Sequence, residues 1–308
     1  MHDGRKVDIV AAPTKQGFLF VFDRVTGKPL WPIEERAVPQ SDVPGEESWP
    51  TQPFPTRPAP FARQGFTLDD VIDFTPAIKQ AAIAEVSKYR LGPMYTPPSM
   101  QGSLVLPGDI GGSGWGGAAV DPETGWLYVK ATNSPVLMMI EKRDTPSDTV
   151  DTPYMNNLGR GRLSLRIGDA AGGGALGRGN SLPISKPPYG TLTAIDLNTG
   201  DTKWQVPLGD MLEIRNHPAL KGVALPEKLG VSGSPGALVT KGGLVFSTGG
   251  GRVLYAIDSK SGKTLWEYDL GQVGYANPMT YRTREGKQFV VIATGGGATS
   301  KLVAFALP

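Results

Sequence analysis

"AIDLNTGDTKW" at residues 194–204 and "AIDSKSGKTLW" at 256–266 repeat Asp, Gly and Trp at one fixed spacing. "VFDRVTGKPLW" at 21–31 does so a third time, with Val21 where the other two have Ala. Aligned on Asp23, Asp196 and Asp258, the glycines Gly27, Gly200 and Gly262 fall four residues on, and Trp31, Trp204 and Trp266 four further. Each unit opens on β-formers: "FLFVF" at 18–22, "TLTAI" at 191–195 and "VLYAI" at 253–257. A polar turn follows, then a second strand that ends on Trp. This is a hairpin signature: Asp bonds back to turn amides, Gly takes a positive φ, and the indole supplies a large apolar anchor.

Further strand pairs surround these units. "GWGGAAVDPETGWLYVKATN" (114–133) has a "DPETG" turn, "GSPGALVTKGGLVFSTGGG" (233–251) turns at "TKGG", and "MTYRTREGKQFVVIATGGG" (279–297) turns at "REG". Between 233 and 271 four strands follow in order, and recurrent four-stranded units of that kind read as propeller blades. A β-sandwich accommodates similar strands but gives no reason for a Trp at one spacing. The fold class is therefore all-β, a β-propeller of four-stranded antiparallel blades.

Two segments break the rhythm within what reads as a single domain over 1–308. Residues 32–100 are Pro-rich, with "VPQSDVPGEESWPTQPFPTRPAPF" expected as an extended surface loop. Inside that segment "TLDDVIDFTPAIKQAAIAEVSKYR" reads as helical, with Thr67 and Thr75 as N-caps and Pro76 at a first helical position. Residues 134–188, containing "GDAAGGGALGRGN", read as a long loop insertion. What remains suits roughly four blades at ~45 residues each. A propeller buries its blade faces and strand edges by closing on itself, so the chain is expected to be the C-terminal portion of a larger ring.

Composition narrows the function classes. The 41 Gly and 28 Pro demand many turns, as many short strands would. A net charge of +2 gives no field for nucleic acid or an acidic membrane surface. The absence of Cys excludes disulfides, thiolate nucleophiles, Cys-bound zinc and covalent c-type haem. No apolar run approaches membrane-spanning length, and "MHDGRKVDIV" carries no signal-peptide core.

The repeat A-x-D-x-x-x-G-x-x-x-W resembles the tryptophan-docking motif of the eight-bladed quinoprotein alcohol and sugar dehydrogenases, which use pyrroloquinoline quinone (PQQ). "APTKQGFLFVFDRVTGKPLWP", "YTPPSMQGSLVLPG", "WGGAAVDPETGWLYV" and "NPMTYRTREGKQFVVIATGGG" look like the membrane-type glucose dehydrogenase branch, in that branch's order. The resemblance implies a partial propeller of about four to five blades. It implies oxidation of a sugar or polyol by hydride transfer to PQQ, with electrons passed to a quinone or cytochrome acceptor in the periplasm. It also implies that the proposed catalytic Asp and the ligands of a calcium or magnesium ion lie upstream of this chain, with the N-terminal blades. The chain alone is then expected to be inactive. Asp3 and Asp8 do not align with those upstream positions.

Five residues emerge as candidates. An ortho-quinone accepts hydride more readily when a cation polarises its carbonyl, and by resemblance Lys15 in "AAPTKQG" matches the family lysine at that carbonyl. The other reading of Lys15 is an ordinary turn lysine before Gly17. Trp115 in "GWGG" offers an indole beside glycines that let backbone approach a flat ligand; the alternative is a core Trp. Gly114 stands where the family often has a polar residue. Asn133 matches a family asparagine near the quinone, and Gly233 and Ser234 in "SGSPG" resemble cofactor contacts of the last blades. Trp31, Trp204 and Trp266 read as structural, His217 as a solvated loop residue, and "TGGG" at 248–251 and 294–297 as strand-end turns. A cofactor-free propeller acting as a protein-binding scaffold explains the repeats equally, but has no chemical use for "APTKQG" and "WGG".

Overall fold

The turn of each repeat closes as its residues dictate. The amides of Gly27, Gly200 and Gly262 donate to the carbonyls of Asp23, Asp196 and Asp258 at 2.9, 2.8 and 2.9 Å. All three glycines have positive φ, at 70°, 76° and 75°, a conformation that strains any residue with a Cβ. The Asp carboxylates bind the turn amides: Asp23 accepts from Thr26 and Val25, Asp196 from Asn198, Asp258 from Ser261. These bonds hold the Asp23 carboxyl below the usual range, through the Thr26 amide first and that of Val25 next.

The computed structural model describes residues 4–143, 153–156, 164–166 and 181–307. Four antiparallel sheets follow one another along the chain. The first pairs Ile9–Pro13 with Leu19–Asp23. The second is a complete four-stranded sheet of Ala118–Asp121, Trp126–Thr132, Gly190–Asp196 and Asp201–Pro207, with spatial order matching chain order. The third repeats that layout with Leu238–Val239, Leu244–Ser247, Val253–Asp258 and Thr264–Asp269. The fourth contains Met279–Arg282, Gln288–Thr294 and Lys301–Phe305. Ala194 sits opposite Trp204 and Ala256 opposite Trp266, and the register shifts immediately after Ala in both sheets. The two repeats thus share their pairing and their irregularity.

The sheets stack face to face. Leu127, Val129 and Ala131 pack against Leu19 and Val21 of the first sheet. Tyr128, Leu192 and Ala194 cover the opposite face and meet Val245, Tyr255 and Ile257 of the third. Central strands covered on both sides explain why their sequences run apolar rather than alternating.

Trp joins each repeat to the next. A Cβ on Gly200 would lie 3.0 Å from Trp31 Cζ2, and one on Gly262 would lie 2.9 Å from Trp204 Cε3. Each indole therefore rests on the turn glycine of the following repeat. Trp204 Nε1–H also donates to the Ser259 carbonyl at 3.0 Å. Trp266 is 39% exposed and meets Phe305 of the fourth sheet edge-on at 5.3 Å. These contacts form the stacked-sheet propeller architecture.

The two interruptions prove ordered where they are described. Thr67 caps a short 3₁₀ turn at Leu68–Asp70, and Thr75 caps the helix Pro76–Val86, its hydroxyl accepting from the Ile78 amide at 3.2 Å. Val71 is extended and splits the expected helical stretch into these two pieces. The stretch expected as an extended loop, 38–61, instead supplies Thr51–Pro55, the second strand of a hairpin with Ile33–Ala37. Val136–Met138 pairs back onto Ser103–Val105, Ile140–Lys142 with Tyr154–Asn156, and Ser164–Arg166 with Ser181–Pro183. Ile78, Ala82 and Val86 bury against Leu104, Leu137, Leu182, Ile214 and Val231, so the interruptions share one core with the 104–106 and 211–231 segments. The Gly-rich run at 168–180 lies outside the described residues.

Candidate cofactor cleft

Three segments enter successive sheets at equivalent places: the one before Ala118, the one before Leu238 and the one before Met279. They converge on a cleft of ≈650 Å³ lined by Trp115, Thr132, Gly233, Ser234, Tyr275 and Asn277, among others. Glycine permits this convergence. A Cβ on Gly116 would fall 2.0 Å from the Gly236 nitrogen, and one on Gly233 would fall 2.6 Å from the Gly249 oxygen. The backbones touch directly, and "TGGG" at 248–251 supports the 233 loop from behind.

Asn277 ties two of these segments together. Its Oδ1 accepts from the Gly236 amide at 2.6 Å, and its Nδ2 donates to the Gly116 carbonyl at 3.0 Å. Sequence reasoning missed it; the available signal was an Asn before Pro278 leading into a strand.

Of the five candidates, Trp115, Gly233 and Ser234 line this one cleft. Trp115 is 98% exposed, so it is not a core tryptophan. Lys15 occupies the turn joining Ile9–Pro13 to Leu19–Asp23. Its Nζ donates to the Asp109 carbonyl at 3.0 Å, and the stem of Lys15 lies 2.7 Å from where a Gly111 Cβ would be. Lys15 is not among the residues that line the cleft; it contacts the backbone on either side of Ile110, which is. Asn133 follows the cleft-lining Thr132 and is buried. Its Oδ1 accepts from the Arg63 amide at 3.1 Å and its Nδ2 donates to the Pro188 carbonyl at 3.2 Å.

Two titratable groups are buried, one against the sequence reading and one on which that reading was silent. His217 is buried, not solvated: its Nδ1 accepts from the Ala219 amide and caps a 3₁₀ turn. A short polar loop around "NHP" looks exposed, but it is flanked by Ile214 and Leu220, which belong to the core around the 76–86 helix. Lys130 is only 3% exposed, on the central strand Trp126–Thr132. Burial lowers its basicity to about 7. Its Nζ donates to Thr132 Oγ1 at 3.0 Å and to the Gly233 carbonyl, both at the cleft. Among the described residues, no group of three His, Cys, Asp or Glu side chains converges as a metal site. No helix among them is long and apolar enough to cross a membrane.

Comparison with known proteins agrees with this architecture. The family described as PQQ: glucose/ethanol/alcohol dehydrogenase, β-propeller domain, matches residues 1–290. The chain is 32% identical, over 97% of its length, to the quinate/shikimate dehydrogenase (quinone) of Acinetobacter baylyi, and covers 38% of that protein. It is 31% identical, over 99% of its length, to the quinoprotein glucose dehydrogenase of Gluconobacter oxydans, and covers 40% of it. Among solved structures, the quinohemoprotein alcohol dehydrogenase of Comamonas testosteroni superposes over 96% of this chain and 33% of its own, with a TM-score of 0.51 at 20% identity, a likeness of fold. This chain belongs to the PQQ-dependent dehydrogenase β-propeller family, as an oxidoreductase-family chain that spans about two fifths of the curated relatives it matches.

Proposed function

We propose that the chain forms one wall of a PQQ site in a dehydrogenase that oxidises a sugar or polyol, with Trp115, Gly233, Ser234 and Lys15 facing the cofactor. The observation that carries this reading is the convergence of Trp115, Gly233 and Ser234, far apart in sequence, on a single cleft. Its volume lies within the range of small-molecule sites, and its lining suits a flat, carboxylated, tricyclic ligand. Trp115 offers an indole face, Ser234 a hydroxyl, and Gly116 and Gly233 stretches of backbone that carry no side chain.

PQQ supplies an ortho-quinone that takes up hydride from an alcohol carbon. The chain's own contribution is binding and electrostatics. Lys15 holds a cation beside Ile110, where it favours negative charge on a carbonyl oxygen. Asn277 fixes the Gly116 and Gly236 segments, so the wall is set before a ligand arrives. Asn133 holds the Arg63 and Pro188 backbones beside Thr132, a supporting place in this reading.

The substrate class follows the relatives, whose names specify glucose and quinate or shikimate. The reading further places a quinone or cytochrome acceptor, a periplasmic location, a calcium or magnesium ion and the catalytic base with the parts of the relatives outside the match. Dye-linked assays of residues 1–308 with PQQ, calcium and an aldose are expected to show no turnover; turnover would overturn that assignment. Titration with PQQ tests the cleft itself. Saturable binding that weakens several-fold in Lys15→Ala supports the site. Equal binding by both proteins, or by neither, contradicts it.

A further inference from the structure

Lys130 is a buried cation that the proposed chemistry does not use. Residues of its strand alternate between two cores, and the face carrying Tyr128 packs toward the third sheet. Lys130 and Thr132 continue that face to the strand's end. There the ammonium meets Thr132 Oγ1, and both meet the Gly233 carbonyl, with Thr132 Oγ1 at 2.6 Å from it. The Gly233 amide returns to Thr132 Oγ1 at 3.1 Å. Lysine and threonine thus hold Gly233 by its carbonyl, and threonine holds it by its amide as well.

No carboxylate among the described residues pairs with this ammonium, and burial alone accounts for its lowered basicity. The titratable side chains packed on the same face are Tyr128 and Tyr255, both held protonated by burial. The 232–235 loop contributes Ser, Gly, Ser and Pro, none of which ionises near neutrality. A desolvated, unpaired cation is costly to the fold, and this one lies directly behind a cleft wall.

We propose that Lys130 is a positioning residue: its ammonium fixes the 232–235 wall through Thr132 and Gly233, and its charge strengthens binding of an anionic ligand in the cleft. The first half stands on the hydrogen bonds alone. The second half rests on the cleft being the site of a carboxylated cofactor. Protonated Lys130 attracts such a ligand; neutral Lys130 does not, so affinity follows its proton.

The test compares wild type with Lys130→Met, which keeps the side chain's length without its charge. Amide hydrogen exchange reads the wall. The Gly233 amide is expected to exchange at least several-fold faster in the variant while the 190–196 strand keeps its protection; unchanged exchange at Gly233 overturns the clamp. PQQ binding at pH 6 and pH 8.5 reads the charge. Wild type is expected to bind roughly tenfold more tightly at the lower pH, the order expected for one charge acting across ~10 Å at an effective dielectric near 20, and the variant equally at both. The same pH dependence in both proteins, or none in wild type, overturns the electrostatic role. If neither protein binds PQQ, the cofactor reading fails and the electrostatic half with it, while hydrogen exchange still decides the clamp.

Discussion

Gly262 and Gly27 occupy the same place in two copies of one turn, and substituting each with Ala separates the cost of the turn from the cost of tryptophan docking. Both have positive φ, 75° and 70°. An L-residue in that region costs about 1–2 kcal/mol, and both variants bear it. Their surroundings differ. A Cβ on Gly27 meets nothing within 4 Å, whereas one on Gly262 lies 2.9 Å from Trp204 Cε3, 3.0 Å from Cδ2 and 3.1 Å from Val206 Cγ1. The new methyl abuts a rigid ring and a β-branched side chain, so the indole has to shift. That shift strains the bond from Trp204 Nε1–H to the Ser259 carbonyl, worth about 1 kcal/mol. Overpacking adds about 1–3 kcal/mol. Gly262→Ala should therefore lose roughly 3–6 kcal/mol and Gly27→Ala about 1–2 kcal/mol, by the sum of those contributions. Equilibrium urea unfolding gives both values, with the m-value checked for constancy. Equal losses at the two positions would refute the claim that Trp204 is seated on Gly262.

Two further outcomes follow from the structure. Lys130 keeps its proton to pH 10.5 when unfolded but only to about 7 when folded. Between those values the unfolded chain binds the extra proton, so stability should rise with pH by up to ~1.4 kcal/mol per unit. Above pH 10 the buried Tyr189 and Tyr255, the latter pushed up to about 12, reverse the trend because only the unfolded tyrosines ionise. Urea titrations from pH 6 to 9.5 should show the rise in wild type and lose it in Lys130→Met; parallel profiles would contradict it. Thr75→Ala removes the cap on the Ile78 amide and should cost about 1 kcal/mol, measured in the same way; no loss would mean the helix start is held by packing alone.

The repeats were legible because their information is local. Asp, Gly and Trp within eleven residues specify turn, φ and anchor, and the Ala opposite Trp204 and the Ala opposite Trp266 follow the same spacing. The starts of the short 3₁₀ turn and of the helix at 76–86 were legible for the same reason, through Thr67, Thr75 and Pro76, but the break at Val71 was not. The core around the 76–86 helix was not. Leu104, Leu137, Leu182 and Ile214 lie in segments without shared periodicity, and their contacts join residues more than thirty positions apart. His217 was misread on the same account, since its burial comes from that core. Within the cleft, glycines and Trp115 stood out in sequence because their chemistry is unusual for a strand entrance. Lys130 did not, although a lysine inside the run "WLYVKAT" was the available sign. Whether such a lysine reaches solvent or stays buried depends on the sheet stacked over it.

A structure of this chain with PQQ bound tests the central claim most directly. The account predicts the tricyclic ring in the cleft beside the Trp115 indole, with Gly233 and Ser234 along one edge and the Lys15 ammonium turned from the Asp109 carbonyl toward a quinone oxygen. PQQ seated elsewhere on the sheets, or in the cleft with Lys15 still bonded to Asp109 and Trp115 out of contact, would contradict it.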